Sequence, residues 1–135
     1  MAHFVLDYSA NLRDELDVGA LFRAVHAAAV ETGVFPLGGV RFRAICCEDY
    51  LIADGDPANA YVNLSIKVGH GRPLEVRRAA ADRIFAALTK FLQPVFDARP
   101  LGISMEMVEL DPELNYKHNN IHEYLRKKES KPDRQ

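Results

Sequence analysis

The residues best placed to do chemistry are arginines. Arg72 follows Gly69-His70-Gly71, between a run of β-forming residues and the proline that opens a helical pattern at Pro73. Free backbone N–H groups and the helix dipole at such a junction favour anions, and a guanidinium adds a two-pronged donor for carboxylate or phosphate. The glycines do not complete a dinucleotide fingerprint, which needs a third glycine, nor a P-loop, which needs Gly-Lys-Ser/Thr. Arg41 and Arg43 alternate with Val40, Phe42 and Ala44, so in a strand they share one face. On spacing alone they read as solvated edge-strand charges. Arg77 and Arg78, in the next helical turn, read as solvent-facing.

Other chemistries are poorly served. His118 and His122 are four residues apart beside Glu123, but no third ligand and no HExxH pattern accompanies them, so they read as structural. His70 reads equally as an exposed turn residue or as a ring over a ligand. Cys46 and Cys47 are adjacent and alternate in direction along a strand, which disfavours a shared metal, and they offer neither a disulfide framework nor a CxxC knuckle. There is no Gly-x-Ser-x-Gly elbow and no carboxylate pair suited to glycoside hydrolysis. The residues alone stop at a cationic, carboxylate-friendly pocket.

The elements that must position these arginines repeat. His3 to Tyr8 is a short strand bounded by Ser9 and Asn11. Asp17 caps a helix whose apolar positions Leu21, Phe22, Val25, Ala28 and Ala29 fall on one side. Gly33 ends it, because glycine adopts the left-handed C′ conformation at little cost. A strand over Val40 to Ile45 follows, then a short extended piece around Glu48 to Ile52. The second half repeats the plan: Val62, Leu64, Ile66 and Val68 alternate with polar residues, and a helix carries Ala81, Ile84, Phe85, Leu88 and Leu92. Pro94 should kink or end that helix, and Ile103 to Met107 alternates again.

The order is βαβ, βαβ. Right-handed crossovers then predict an α+β fold in which two βαβ halves form a four-stranded sheet with two helices on one face. The other sheet face is expected to keep enough apolar side chains to need a partner. Residues 1–125 read as a single domain, with a short helix between Asn115 and Leu125. The charged stretch 126–135 reads as a disordered tail.

The chain has 135 residues, of which 17 are basic and 19 acidic, giving a formal net charge of −2. That balance argues against nucleic acid as a partner. No apolar run approaches the ~18 residues of a membrane span, and Met1-Ala2-His3-Phe4 lacks the pattern of a secretory signal. A cytoplasmic location is expected.

Several blocks, taken together, resemble 5-carboxymethyl-2-hydroxymuconate isomerases of the tautomerase superfamily: His3 to Asn11, Thr32 to Arg41, Lys67 to Arg72, and Leu114 to His122. They occur in order along nearly the whole chain. The resemblance implies a tautomerase-like homotrimer without a cofactor or metal. It implies an isomerase that moves a proton in a dienol tricarboxylate during homoprotocatechuate catabolism. The family's base is an N-terminal proline amine exposed by loss of the initiator methionine. Here Ala2 stands at that position, so the resemblance places a primary amine there and makes Ala2 and Arg72 the catalytic candidates. Arg41 and Arg43 become the substrate-binding candidates, with a small polycarboxylate as partner. The missing proline leaves an alternative, a non-catalytic trimeric module that binds carboxylated metabolites through the same pocket.

Overall fold

The computed structural model describes residues 1–129. Its elements follow the expected order: β1 (Ala2–Ser9), α1 (Val18–Glu31), β2 (Val40–Cys47), β3 (Ala60–Val68), α2 (Leu74–Ala98), β4 (Leu101–Glu109) and α3 (Ile121–Glu129). The sheet has four strands in the order β2-β1-β3-β4. Within each half the strands are parallel, β1 with β2 and β3 with β4, and the halves meet through the antiparallel pair β1 and β3. Two βαβ units therefore close one sheet through their first strands.

Alternation explains which side is covered. Phe4, Leu6, Val62, Leu64 and Ile66 are fully or almost fully buried under Leu21 and Val25 of α1 and Ile84, Leu88 and Leu92 of α2. Phe4 stacks on Phe42 with ring centroids 4.4 Å apart, which ties β1 to β2 within that core. Asp17 caps α1 by accepting the Ala20 N–H at 3.0 Å, and Gly33 ends it with φ +72°.

The opposite sheet face differs from expectation. It carries His3, Asp7, Arg43, Asn63, Ser65, Lys67 and Glu106, with only scattered apolar residues such as Val5 and Ile45. Each strand directs its apolar set towards the helices, so the open face is polar. Cross-strand bonds serve it: Tyr61 Oη donates to Asp7 at 2.6 Å, and Ser104 Oγ donates to Asn63 at 2.7 Å.

Three local expectations also change. Glu48 to Ile52, expected as a short extended piece, is loop with two bends at its start, organised by Asn59 Nδ2 donating to Ile52 O at 3.1 Å. α2 continues past Pro94 to Ala98, since the proline sits close to the helix end and Leu92 and Val95 keep that turn packed. In the tail, Arg126 to Glu129 belong to α3, where Arg126, Lys127 and Lys128 in the last turn suit the helix dipole. The rest of the expected disordered tail, 130–135, lies outside the described residues. No helix among the described residues is long and apolar enough to cross a membrane.

Candidate active site

Parallel pairing of β1 with β2 sets Ala2 opposite Val40, so the amino terminus lies against the turn that introduces β2. That turn, Leu37–Gly39, is a single 3-10 turn with both glycines buried. A Cβ at Gly39 would stand 3.2 Å from Met1 Cα and 3.6 Å from the Met1 nitrogen. The bare backbone is what lets the terminus come so close. Arg41, one residue into β2 from Val40, folds back and donates from Nη1 to Gly38 O at 3.2 Å.

The second half contributes Arg72. Its guanidinium does not stay over the start of α2. Nη2 instead donates to Val34 O at 2.8 Å and Nη1 to Gly69 O at 3.5 Å, so the side chain bridges the β3–α2 turn to the segment after α1. Behind it, Arg77 Nε donates to Arg72 O at 3.0 Å.

The third wall comes from the segment between β4 and α3. Asn119 Nδ2 donates to Gly38 O at 3.1 Å, while its Oδ1 accepts the Ile121 N–H at 2.9 Å and so caps the start of α3. The His122 ring packs onto Gly38 so tightly that a Cβ there would meet Nδ1 at 2.5 Å. Together these groups enclose a cavity of about 440 Å³ lined by Met1, Gly39, Lys117, His118, Asn119 and His122.

The charges around this cavity are of one sign. The terminal amine is held below its ordinary value of 8.0, first by burial and then by the positive charges of Lys117, Arg72 and Arg41. Elsewhere Arg13, Arg77, Arg83 and Arg99 each face a glutamate. Among the described residues, no carboxylate is paired with Arg41, Arg72 or Lys117; the two arginines are held only by backbone carbonyls. Cations without counter-ions have the chemistry to receive carboxylates, and a neutral amine near them has the chemistry to accept a proton.

The structure thus sets the Met1 amine within reach of the charges of Arg41 and Arg72, with Ala2, 4% exposed, one residue behind it. Arg43 stands apart, exposed on the open sheet face opposite Val5. With Arg41 its charge acts on His3, whose imidazole is held below its ordinary value first by burial and then by those arginines. His118 and His122, read from the sequence as structural, both line the cavity, and only His122 lies within α3. Lys117 carried no signal of its own; its position inside the block Leu114 to His122 was the only pointer. Among the described residues, no group of three or more histidines, cysteines or acidic residues is arranged to hold a metal ion.

The chain is similar to known proteins over most of its length. The chain is 38% identical to 5-carboxymethyl-2-hydroxymuconate Delta-isomerase of Escherichia coli over 122 residues, 90% of this chain and 97% of that protein. It superposes on the crystal structure of a 5-carboxymethyl-2-hydroxymuconate isomerase from Deinococcus radiodurans R1 with a TM-score of 0.86 and 32% identity, covering 92% and 93% of the two chains. A fused 4-OT, solved as a symmetric trimer, shares the fold alone, with a TM-score of 0.63 and 18% identity over 86% of this chain and 93% of that one. The sequence profile of one family matches residues 2–125, and on these grounds the chain belongs to the 5-carboxymethyl-2-hydroxymuconate isomerase family.

Proposed function

We propose that this protein isomerises 5-carboxymethyl-2-hydroxymuconate, an unsaturated dienol tricarboxylate of homoprotocatechuate catabolism, with the α-amine of Ala2 as the proton carrier. Loss of Met1 exposes that amine at the start of β1, beside Gly39. The neutral amine takes a proton from one end of the conjugated system, and the electron pair left behind spreads over a dienolate. The ammonium then returns the proton to a carbon further along, which gives the conjugated keto isomer. Arg72 binds a carboxylate next to the developing charge and stabilises it. Arg41 holds a second carboxylate, and Arg43, exposed on the same strand face, extends the positive field through which the anion approaches.

The observation that carries this reading is the amino terminus itself, which lines a cavity with Lys117 and feels the charges of Arg41 and Arg72, while among the described residues no carboxylate is paired to any of the three. Ultraviolet absorbance of enol-to-keto conversion, with the N-terminal residue confirmed by mass spectrometry, tests it. The tricarboxylate dienol should be turned over faster than smaller 2-hydroxydienoates. Absence of turnover by protein that begins at Ala2 would sink the reading.

The working unit we infer is a homotrimer. The edge strands β2 and β4 leave backbone groups unpaired, and Leu51, Leu114 and Tyr116 are largely exposed. Sedimentation equilibrium at micromolar concentration should return three times the chain mass, and a stable monomer would refute it.

A further inference from the structure

We propose that Lys117 is the specificity-determining residue that selects a third carboxylate on the substrate. This rests on the isomerase reading above and names what one wall of that site recognises. Arg41 and Arg72 belong to the two βαβ halves, and each guanidinium is pinned to backbone carbonyls. Lys117 comes from outside both halves, on the segment that returns from β4, and lines the same cavity as the amino terminus. Nothing in the described structure neutralises it, and the neighbouring wall residues His118, Asn119 and His122 offer no anion.

Charge complementarity then separates substrates. With the amine neutral, Lys117 on the cavity wall and Arg41 and Arg72, whose charges reach the amino terminus, supply three positive charges around the ligand. A tricarboxylate meets all three. A dicarboxylate leaves Lys117 without a partner, so the ammonium contributes no charged hydrogen bond to its binding. The group types divide the work as well. A rigid guanidinium fork suits carboxylates fixed in the plane of a conjugated chain, whereas an ammonium on a flexible stem suits a carboxylate on a freely rotating methylene.

The seating of this wall is also visible. Asn119 Nδ2 holds Gly38 O, and His122 packs on the same glycine, so the backbone two residues beyond Lys117 is tied to the turn beside the amino terminus. Asn119 is therefore a positioning residue for Lys117.

The test compares kcat/KM for a tricarboxylate dienol and for the corresponding dicarboxylate lacking the carboxymethyl carboxylate. Both are measured on the high-pH plateau, where any change in the amine's ionisation drops out. Lys117→Ala should lower the ratio about tenfold or more, the usual worth of one charged hydrogen bond, mostly through KM for the tricarboxylate. Lys117→Arg should restore most of the ratio, and Asn119→Ala should lower it in part. Lys117 is exposed, so circular dichroism melting of the two Lys117 variants should match the parent. A ratio unchanged in Lys117→Ala would overturn the inference, even if both rates fall together. If the parent turns over neither dienol, the isomerase reading fails, and calorimetry with propane-1,2,3-tricarboxylate and glutarate decides the role of Lys117 alone. A preference for the tricarboxylate that disappears in Lys117→Ala would support it. No preference, or one that survives the substitution, would overturn it.

Discussion

The Glu109 carboxylate, at the end of β4, accepts the Gly71 N–H at 2.9 Å and so clamps the turn that carries Arg72. Arg77 links the two sides of the clamp, with Nη2 3.8 Å from Glu109 and Nε bonded to Arg72 O. Glu109 is not among the cavity residues, yet the direction of the Arg72 guanidinium depends on the turn it holds. Glu109→Ala should raise KM several-fold while the amine's kinetic ionisation stays where it was, and Glu109→Gln, which keeps an acceptor, should recover part of the loss. The Gly71 N–H, followed by the charges of Arg77 and His70, holds this carboxyl below its ordinary 4.5. Its stabilising contribution is therefore complete above that value and is lost as the pH falls through the lowered folded-state value. Urea titrations of parent and Glu109→Gln should converge at the acid end of that window.

Arg72 and Arg41 should fail differently. Removing the Arg72 fork deletes charged hydrogen bonds to a carboxylate beside the forming dienolate, worth ~1.5 to 3 kcal/mol. Because that partner gains charge in the transition state, Arg72→Ala should lower kcat as well as raise KM. Arg72→Lys should fall between, since it keeps the charge but cannot bridge Val34 O and a ligand with one flat group. Arg41→Ala should act mainly on KM. Steady-state kinetics of the three variants separates the roles, and parent-like values in all three would reduce these arginines to surface charges.

Gly38 is where α3 meets the amino-terminal turn, and its missing side chain is filled by His122. Gly38→Ala places a methyl group 2.5 Å from the present position of His122 Nδ1, so the ring must leave. Hydrogen exchange across Ile121–Glu129 should accelerate, and KM should rise as the wall loosens. His122→Ala in the same chain makes room for the methyl group. The double variant should therefore recover protection relative to Gly38→Ala, a non-additive result that a simple loss of helix stability would not give.

The sheet and both long helices were legible because their apolar residues repeat every second position in strands and every three to four in helices. Val62, Leu64 and Ile66, or Leu21 and Val25, announce their own burial. The polarity of the open sheet face was harder to see. It depends on pairing register, which sets His3 beside Arg41 and Lys67, and register is not a property of any single strand. The far wall of the site was hidden for a related reason. Asn119 bonds to Gly38 across 81 positions of sequence, and nothing local to Lys117 or His122 indicates that their segment folds back over the amino terminus. The metal-ligand spacing of His118 and His122 says nothing of the cavity that both of them line. Arg72 was found through its glycine turn, but the direction of its guanidinium, towards Val34 rather than over the start of α2, is a tertiary fact.

The amine gives the most decisive prediction. Burial and the charges of Lys117, Arg72 and Arg41 disfavour the protonated form of the Met1 amine, and Ala2, one residue on, is more deeply set beside the same turn. The kcat/KM profile of processed protein should therefore rise through one ionisation below 8.0, the ordinary value for a terminal amine, and level off above it. Lys117→Ala should move that ionisation upward, because one of the repelling charges is gone. Retention of Met1 turns the Ala2 nitrogen into an amide, which cannot accept the proton, and displaces the free amine by one residue. Such a preparation should be nearly inactive yet still bind carboxylates through Arg72. Ala2→Pro should increase the rate, since the ring fixes the nitrogen's direction and makes it a more basic secondary amine. Neither change touches the pairing of β1 from His3 onward, so thermal melting should hardly shift. Equal activity in processed, methionine-retained and Ala2→Pro protein would remove the amine from the mechanism.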